Sequence, residues 1–209
     1  MWTTLWDFPP DNLWLFLTAG ILLNLTPGAD VMFATACGLR GGVRAGAAAG
    51  LGVGLGGLWH VGLATLGISA LLAAMPTALL MLKWGGAGYL LVLAWQSWNA
   101  GAAAPDRAAD SRIKPLSAVH RGFIINAFNP KVALFILAFL PQFTDPALGP
   151  LWQQIVVLGC LFAVTGTVIT AGYGVVAGLL GGALAARMKV LNRIAAAILG
   201  VLALRLVWN

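Results

Sequence analysis

The chain contains no glutamate and few charged residues of any kind. Its 209 residues include six acidic residues, all of them aspartates, and 12 lysines and arginines, so that only 9% of the chain is charged. Soluble domains carry about 25% charged residues, and this chain therefore has too few to cover a surface in water. The scarcity of charge excludes a soluble globular domain.

The motifs of soluble enzymes are missing as well. The chain has no GxSxG sequence, no P-loop and no cluster of histidine and cysteine that could bind a metal. Its two cysteines, Cys37 and Cys160, form no CxxC pair, and each is interpreted as a small apolar filler. We expect no enzymatic activity, no metal and no cofactor, and an ATP-driven pump only if a partner supplies the ATPase.

Apolar residues make up 60% of the chain, and the mean hydropathy is +0.92. A helix needs about 20 mainly apolar residues to cross a hydrocarbon core of about 30 Å. Six stretches meet this requirement: 13–36, 45–74, 77–98, 122–140, 151–182 and 190–208. The sequence therefore predicts an all-α integral membrane protein with six transmembrane helices. Because residues 1–12 have no basic region before an apolar run, we expect no cleaved signal peptide and a first span that is retained.

The basic residues are concentrated in alternate connections between the predicted spans. Nine of the 12 lie there: Arg40, Arg44, Arg107, Arg112, Lys114, Arg121, Arg187, Lys189 and Arg193. The positive-inside rule makes these connections cytoplasmic and places both termini outside. The net charge of +6 is thus explained by orientation and by contact with anionic lipid headgroups, and no nucleic-acid partner is needed.

The chain divides at a polar stretch into two halves of three predicted spans. Residues 1–99 form the first half, 100–121 a cytoplasmic connecting loop, and 122–209 the second half. Since each half contains an odd number of spans, duplicated halves would lie in opposite orientations. This arrangement is the inverted repeat of many secondary transporters.

Each half opens with a span that contains a polar, proline-bearing break. The two breaks are NLTPGAD at 24–30 and NAFNPK at 126–131. A proline leaves a helix carbonyl without its usual donor, and in hydrocarbon that carbonyl needs another partner. Paired breaks at corresponding positions indicate a transport site, although two ordinary proline kinks remain the alternative.

The second span of each half is rich in glycine at four-residue spacing. The two series are Gly46, Gly50 and Gly54, and Gly174, Gly178 and Gly182. Small residues at this spacing let helices approach closely. The ridges suit static packing, a surface that slides during transport, or the interface of a homodimer.

Ionisable residues within predicted spans are rare and usually functional. Asp30 and Lys131 adjoin the breaks, whereas Lys83 and Arg205 lie near span ends and are interpreted as interfacial anchors. His60 is either a hydrogen-bonded neutral histidine or a proton relay. The predicted substrate and coupling site comprises Asn24, Thr26, Pro27, Gly28, Asp30, Asn126, Asn129, Pro130 and Lys131. It suits a small zwitterion, with Lys131 and half-helix amino ends for a carboxylate and Asp30 for an ammonium, although Asp30 could instead only cap a half-helix.

These segments resemble the LysE/Rht family of amino-acid exporters over nearly the whole chain. The resemblance is carried by 24–30, by GLRGG at 38–42, by KWGGAGYL at 83–90, by 126–131 and by FLPQF at 139–143. In the family the first break usually reads Pro-Gly-Pro, and here Ala29 replaces the second proline. The resemblance implies a transporter of the bacterial inner membrane that exports amino acids or related small metabolites from the cytoplasm in exchange for protons.

The resemblance leaves the substrate open. A neutral amino acid is favoured because Asp30 is the only acidic residue within a predicted span. An exporter of metal ions or other cations would need more carboxylate, histidine or cysteine ligands than the spans offer. A membrane-embedded enzyme would need a cluster of acid, base or nucleophile, and a structural membrane subunit would not need two polar breaks.

Overall fold

A computed structural model of the chain describes residues 2–74 and 113–180, together with the positions 84–85, 87–88, 91–92, 94–95, 98–99, 190, 193–194, 196–197, 199–201 and 203–204. These residues are helices, turns and connections, and no strand occurs among them. The α-helices among them are α1 (Pro10–Leu25), α2 (Ala29–Ala74), α3 (Pro115–Ala127), α4 (Pro130–Leu134) and α5 (Leu151–Leu180). A π-helix (Phe135–Phe139) continues α4, and short 3-10 turns cover Leu5–Asp7, Leu140–Phe143 and Pro146–Leu148.

The predicted first break is confirmed: it separates α1 from α2 at residues 26–28. The N–H of Thr26 donates the last bonds of α1, to the carbonyls of Leu22 and Leu23. Thr26 itself is extended, with φ −65° and ψ 117°, because the ring of Pro27 disfavours a helical conformation in the residue before it. The predicted span 13–36 is therefore divided between two helices.

The predicted second break is confirmed at residues 128–129. Asn129 is extended, with φ −79° and ψ 107°, and Pro130 begins the next helix. The segments on the two sides, Pro115–Ala127 and Pro130–Phe143, are bent by 51°. The first of them begins at Pro115 rather than at the predicted residue 122, because a proline fits the first turn of a helix and the polar residues after it continue that helix.

Helix α2 folds back on itself at Gly42. This residue has φ 76° and ψ −175°, a conformation that is essentially restricted to glycine. Gly38 and Gly46 lie on opposite sides of it, and both pack directly against Gly174. In a straight helix those two residues would be about 12 Å apart. Residues 29–41 and 43–74 are accordingly the two arms of a hairpin.

The second arm of α2 and α5 run antiparallel in close contact. The contacting pairs are Gly46 with Gly174, Gly50 with Ala171, Gly54 with Thr167, and Val61 with Gly159. At each of these glycines an added Cβ would collide with the facing helix. The prediction that the glycine ridges permit close packing is confirmed here, while Gly182 lies outside the described residues.

The same arm of α2 runs parallel to α3. Gly52 packs against Val119, Gly56 against Phe123, and the ring of His60 bonds the carbonyl of Asn126. Residue numbers increase in the same direction along both helices at this contact. The arm thus lies between α3 on one side and α5 on the other.

Two described helical segments are long and apolar enough to cross a membrane: Ala29–Gly67, which contains the turn at Gly42, and Leu151–Leu180. A third span is obtained when Pro115–Ala127 and Pro130–Phe143 are counted together as one bent helix. The predicted spans 77–98 and 190–208 lie largely outside the described residues. The described positions between 84 and 99 and between 190 and 204 are helical.

Candidate functional site

An ion pair joins the two breaks. Lys131 Nζ lies 3.4 Å from Asp30 Oδ1, and the two side chains are only 4% and 3% exposed. Asp30 lies in the first turn of α2 and Lys131 in the first turn of α4. Residues that are 101 positions apart in sequence therefore meet at the start of two half-helices.

Lys131 also donates hydrogen bonds to backbone carbonyls at the first break. Its Nζ donates to the carbonyl of Thr26 at 3.0 Å and to that of Leu23 at 3.5 Å. These carbonyls lie at the end of α1, where intrahelical donors run out. One side chain of the second break thus stabilises the conformation of the first.

Asn129 and Gly28 give Lys131 its position. Asn129 Oδ1 accepts the backbone N–H of Lys131 at 3.0 Å, which caps α4, and Pro130 between them supplies the fixed φ of the first turn. A Cβ on Gly28 would lie 2.8 Å from Asp30 Oδ1 and 3.0 Å from Lys131 Nζ. The ion pair needs a residue without a side chain at this point.

The two polar residues before Pro27 have different partners. Asn24 is buried, and its Nδ2 donates to the carbonyl of Phe162 at 3.4 Å and to Thr165 Oγ1 at 3.3 Å on α5. The hydroxyl of Thr26 instead donates to Leu22 O at 2.9 Å within its own helix end. Asn24 therefore connects the first break to α5, whereas the carbonyl of Thr26 accepts a hydrogen bond from Lys131.

His60 and Asn126 connect α2 to the second break. His60 Nε2 lies 2.9 Å from the carbonyl oxygen of Asn126, so this ring nitrogen carries the proton. His60 and Asn126 are 6% and 2% exposed. Two amide atoms at the break, Asn126 Oδ1 and Asn129 Nδ2, are buried without a hydrogen-bond partner. Orphaned buried polar atoms of this kind are uncommon and mark sites where a further group can bind.

A small cavity lies between α2, α3 and α5 beside the ion pair. Its lining residues are Asn24, Asp30, Val53, Gly54, Gly57, Asn126, Val132, Phe162, Ala163, Gly166 and Thr167. It has room for about one water molecule, so it must widen considerably before it can hold an amino acid. Of the predicted site, Asn24, Asp30 and Asn126 line the cavity, while Thr26, Pro27, Gly28, Asn129, Pro130 and Lys131 form its support.

Two residues of the site were missing from the sequence prediction. The Tyr173 hydroxyl donates to the carbonyl of Leu25 at 3.1 Å, again at the end of α1. Phe162 lines the cavity and stacks on Phe135 of the π-helix with ring centroids 4.5 Å apart. A tyrosine in an apolar span needs a partner for its hydroxyl, and that signal could have identified Tyr173.

Metal ligands are not gathered at this site. Within the described part of the chain, no group of three histidine, cysteine or acidic residues lies close enough to hold a metal ion. The polar groups are instead amides, carbonyls and one ion pair, enclosed by long apolar helices. Polar groups at breaks within apolar helices are typical of membrane transporters.

The chain belongs to the LysE type translocator family, whose model matches residues 21–209. It is 31% identical over 171 residues to an uncharacterized membrane protein of Vibrio cholerae, covering 81% of this chain and 83% of that protein. It is 31% identical over 162 residues to the homoserine/homoserine lactone efflux protein of Salmonella typhimurium, covering 78% of each chain.

A leucine efflux protein of Salmonella typhimurium is 32% identical over 135 residues, or 64% of each chain. No solved structure matches this chain significantly. The family and its named efflux relatives make this chain a membrane-bound transporter and not an enzyme. They confirm the family resemblance seen in the sequence.

Proposed function

We propose that this protein is a secondary transporter of the bacterial inner membrane that exports amino acids or related small metabolites in exchange for protons. The observation that carries the proposal is the buried ion pair between Asp30 and Lys131, which joins the two breaks beside a cavity. Ionisable groups at membrane depth are costly and usually serve transport. The efflux activity named for two relatives supports the same direction of transport.

Six spans in two inverted halves are the architecture we propose. The second arm of α2 and α3 run parallel, which supports one further crossing between them in sequence, as the predicted span 77–98 would supply. The same arm and α5, the glycine-rich helices of the two halves, pack antiparallel, as neighbours related by an axis in the membrane plane would.

The distribution of charge supports a cytoplasmic location for the Gly42 turn. A Cβ on Gly41 would lie 2.7 Å from the carbonyl of Ile113, so the turn and the start of α3 share one end of the molecule. The basic residues near these segments are Arg40, Arg44, Lys114 and Arg121. We propose that this end is cytoplasmic and contacts anionic lipid, and that both termini are outside.

Three of the five acidic residues outside the predicted spans belong to the other end. The N–H of Thr3 donates to Gln153 Oε1 at 2.9 Å, and Trp2 meets Trp152 edge to face. The amino-terminal segment, with Asp7 and Asp11, therefore lies beside the start of α5 and the turn that contains Asp145. We propose that this end is periplasmic.

We propose that Asp30 takes up and releases the coupling proton. Protonation removes the carboxylate charge that attracts Lys131 and so weakens the link between the two breaks. Both breaks border the cavity. Breaking and re-forming the ion pair could therefore open the cavity to one side of the membrane and then to the other. The hydrogen bond from His60 to the Asn126 carbonyl makes His60 a candidate relay at the second break.

Uptake of labelled leucine and homoserine into inverted vesicles, with and without an imposed pH gradient, tests the proposal. These substrates are chosen because relatives are named for them. We expect uptake that requires the protein and rises when the vesicle lumen is acidic. Uptake that ignores the gradient would contradict proton coupling, and a failure of both compounds and of a wider amino-acid panel would contradict export of amino acids.

A further inference from the structure

The Lys131 ammonium has no hydrogen-bond donor left for a substrate. A lysine ammonium carries three N–H donors. Its Nζ lies within hydrogen-bonding distance of three oxygens of this chain, namely Leu23 O, Thr26 O and Asp30 Oδ1. A substrate carboxylate could bind Lys131 only by displacing one of them. Displacing Thr26 O or Asp30 Oδ1 would leave a buried oxygen without its donor, which is costly. Leu23 O would keep the N–H of Thr26, but its loss would break a bond that ties Lys131 to the end of α1.

The amino ends of the half-helices are the other groups suited to a carboxylate. At α2, the space over Gly28 is filled by the ion pair of Asp30 and Lys131. At α4, the N–H of Lys131 is taken by Asn129 Oδ1. Side chains of the protein itself therefore fill the space at both amino ends. The donor that stays unpaired there, Asn129 Nδ2, is not among the residues that line the cavity.

The cavity offers the opposite chemistry. Asp30 is the one charged side chain among the described residues that line it. The Asn24 amide nitrogen donates to Phe162 O and Thr165 Oγ1. Its Oδ1 can therefore accept a hydrogen bond from a substrate. Asn126 adds an amide whose Oδ1 is buried without a partner. A carboxylate and amide oxygens together favour a group with several N–H donors, such as an ammonium.

We propose that the site recognises the ammonium group of an α-amino compound and provides no cation for its carboxylate, so that amides and esters of amino acids are substrates too. This inference rests on the proposed function. A buried carboxylate without a cation carries a desolvation cost that an uncharged amide avoids. The apolar wall of Val53, Val132, Phe162 and Ala163 suits a short aliphatic side chain.

Binding of three related compounds to the purified full-length protein tests the inference. Leucinamide has the ammonium without the carboxylate, N-acetylleucine has the carboxylate without the ammonium, and leucine has both. Calorimetry at a mildly acidic pH, where the amines are protonated, should show leucinamide binding at least as tightly as leucine and N-acetylleucine at least about tenfold more weakly.

The outcomes separate the inference from the function on which it rests. Tighter binding of N-acetylleucine than of leucinamide would overturn ammonium recognition and leave amino-acid export intact. If none of the three compounds binds and leucine and homoserine are not exported, the proposed function fails, and the inference fails with it.

Asn126→Leu supplies an independent measurement, because it removes the orphaned amide and keeps a similar size. We expect it to weaken leucine and leucinamide equally, by about tenfold each. Thr35→Val is the matched control, since Thr35 Oγ1 is also buried without a partner but the residue is not among those lining the cavity. It should leave both affinities unchanged. A loss confined to leucine would show that the amide serves the carboxylate and would overturn the inference, and the compound series still tests it if Asn126→Leu does not fold.

Discussion

The hydroxyl of Tyr173 in α5 donates to the carbonyl of Leu25, the last residue of α1, at 3.1 Å. The first break is therefore held from two sides, by Tyr173 of α5 and by Lys131 of α4. Each helix uses one side chain to satisfy a carbonyl that the break leaves without an intrahelical donor. Any change of shape at the first break must release or exchange at least one of these bonds.

Tyr173→Phe should change the rate of transport more than the affinity for substrate. The variant keeps the ring and removes one hydrogen bond, which in a membrane protein is worth about 0.6 kcal/mol on average. Since Tyr173 is not among the residues lining the cavity, we expect the maximal rate to change and the binding constant to stay within about twofold. Initial rates in proteoliposomes and calorimetry separate the two quantities. An altered affinity with a normal maximal rate would contradict a role at the break.

Asp30→Asn should abolish proton-driven accumulation and retain part of the substrate exchange, because asparagine cannot carry the coupling proton. If Asp30 only caps the half-helix, asparagine is itself a good cap and transport should survive nearly intact. Counterflow and gradient-driven uptake in the same vesicles distinguish the two roles. Near-normal gradient-driven export by this variant would remove the coupling assignment.

Lys131→Met should be less stable than the double variant that also carries Asp30→Asn. Removing Lys131 alone leaves the Asp30 carboxylate buried and unpaired, at a cost of about 3–5 kcal/mol. The second substitution removes that charge. Thermal unfolding of the purified proteins measures the order, and additive losses would show that the two residues are not one unit.

Gly174→Ala should destabilise the protein, and Gly172→Ala on the same helix should not. A Cβ at Gly174 would collide with the backbone of Gly46, whereas one at Gly172 would meet no atom within 4 Å. Alanine is also about 1 kcal/mol better than glycine within a helix, so we expect the control variant to be as stable as the unaltered protein or more so. Thermal unfolding measures both. Equal stability of the two variants would mean that the close contact of α2 and α5 is not required.

Asp7→Cys and Lys114→Cys, each in a protein that has Cys37→Ala and Cys160→Ala, test the topology. Both positions are exposed. If the amino-terminal end is periplasmic, an impermeant thiol reagent should label the first in intact spheroplasts and the second only in inverted vesicles. Labelling of the second position in spheroplasts and of the first only in inverted vesicles would contradict the proposed orientation.

The sequence predicted both breaks and the two ionisable residues beside them, because a proline or a charged residue is rare inside an apolar run and interrupts its helix or needs a polar partner. It could not predict that Lys131 bonds Leu23 and Thr26 as well as Asp30, since those carbonyls become available only when two distant segments meet. The role of Tyr173 depends on the same long-range approach. Helix ends were less predictable, as the start of α3 at Pro115 shows, because polar residues continue a helix beyond its apolar part.

The backbone of Gly42 has a consequence for the connection between distant parts of the molecule. Without the turn there, the 46 residues of α2 would form a rod about 69 Å long, more than twice the hydrocarbon thickness. With the turn, Asp30 lies on one arm, and the glycines that contact α5 lie on the other. When the ion pair changes, we expect the first arm to tilt. The turn at Gly42 would transmit this movement, so that the second arm tilts as well. Loosening the corner by adding residues beside Gly42 should then uncouple events at the ion pair from events at the contact with α5.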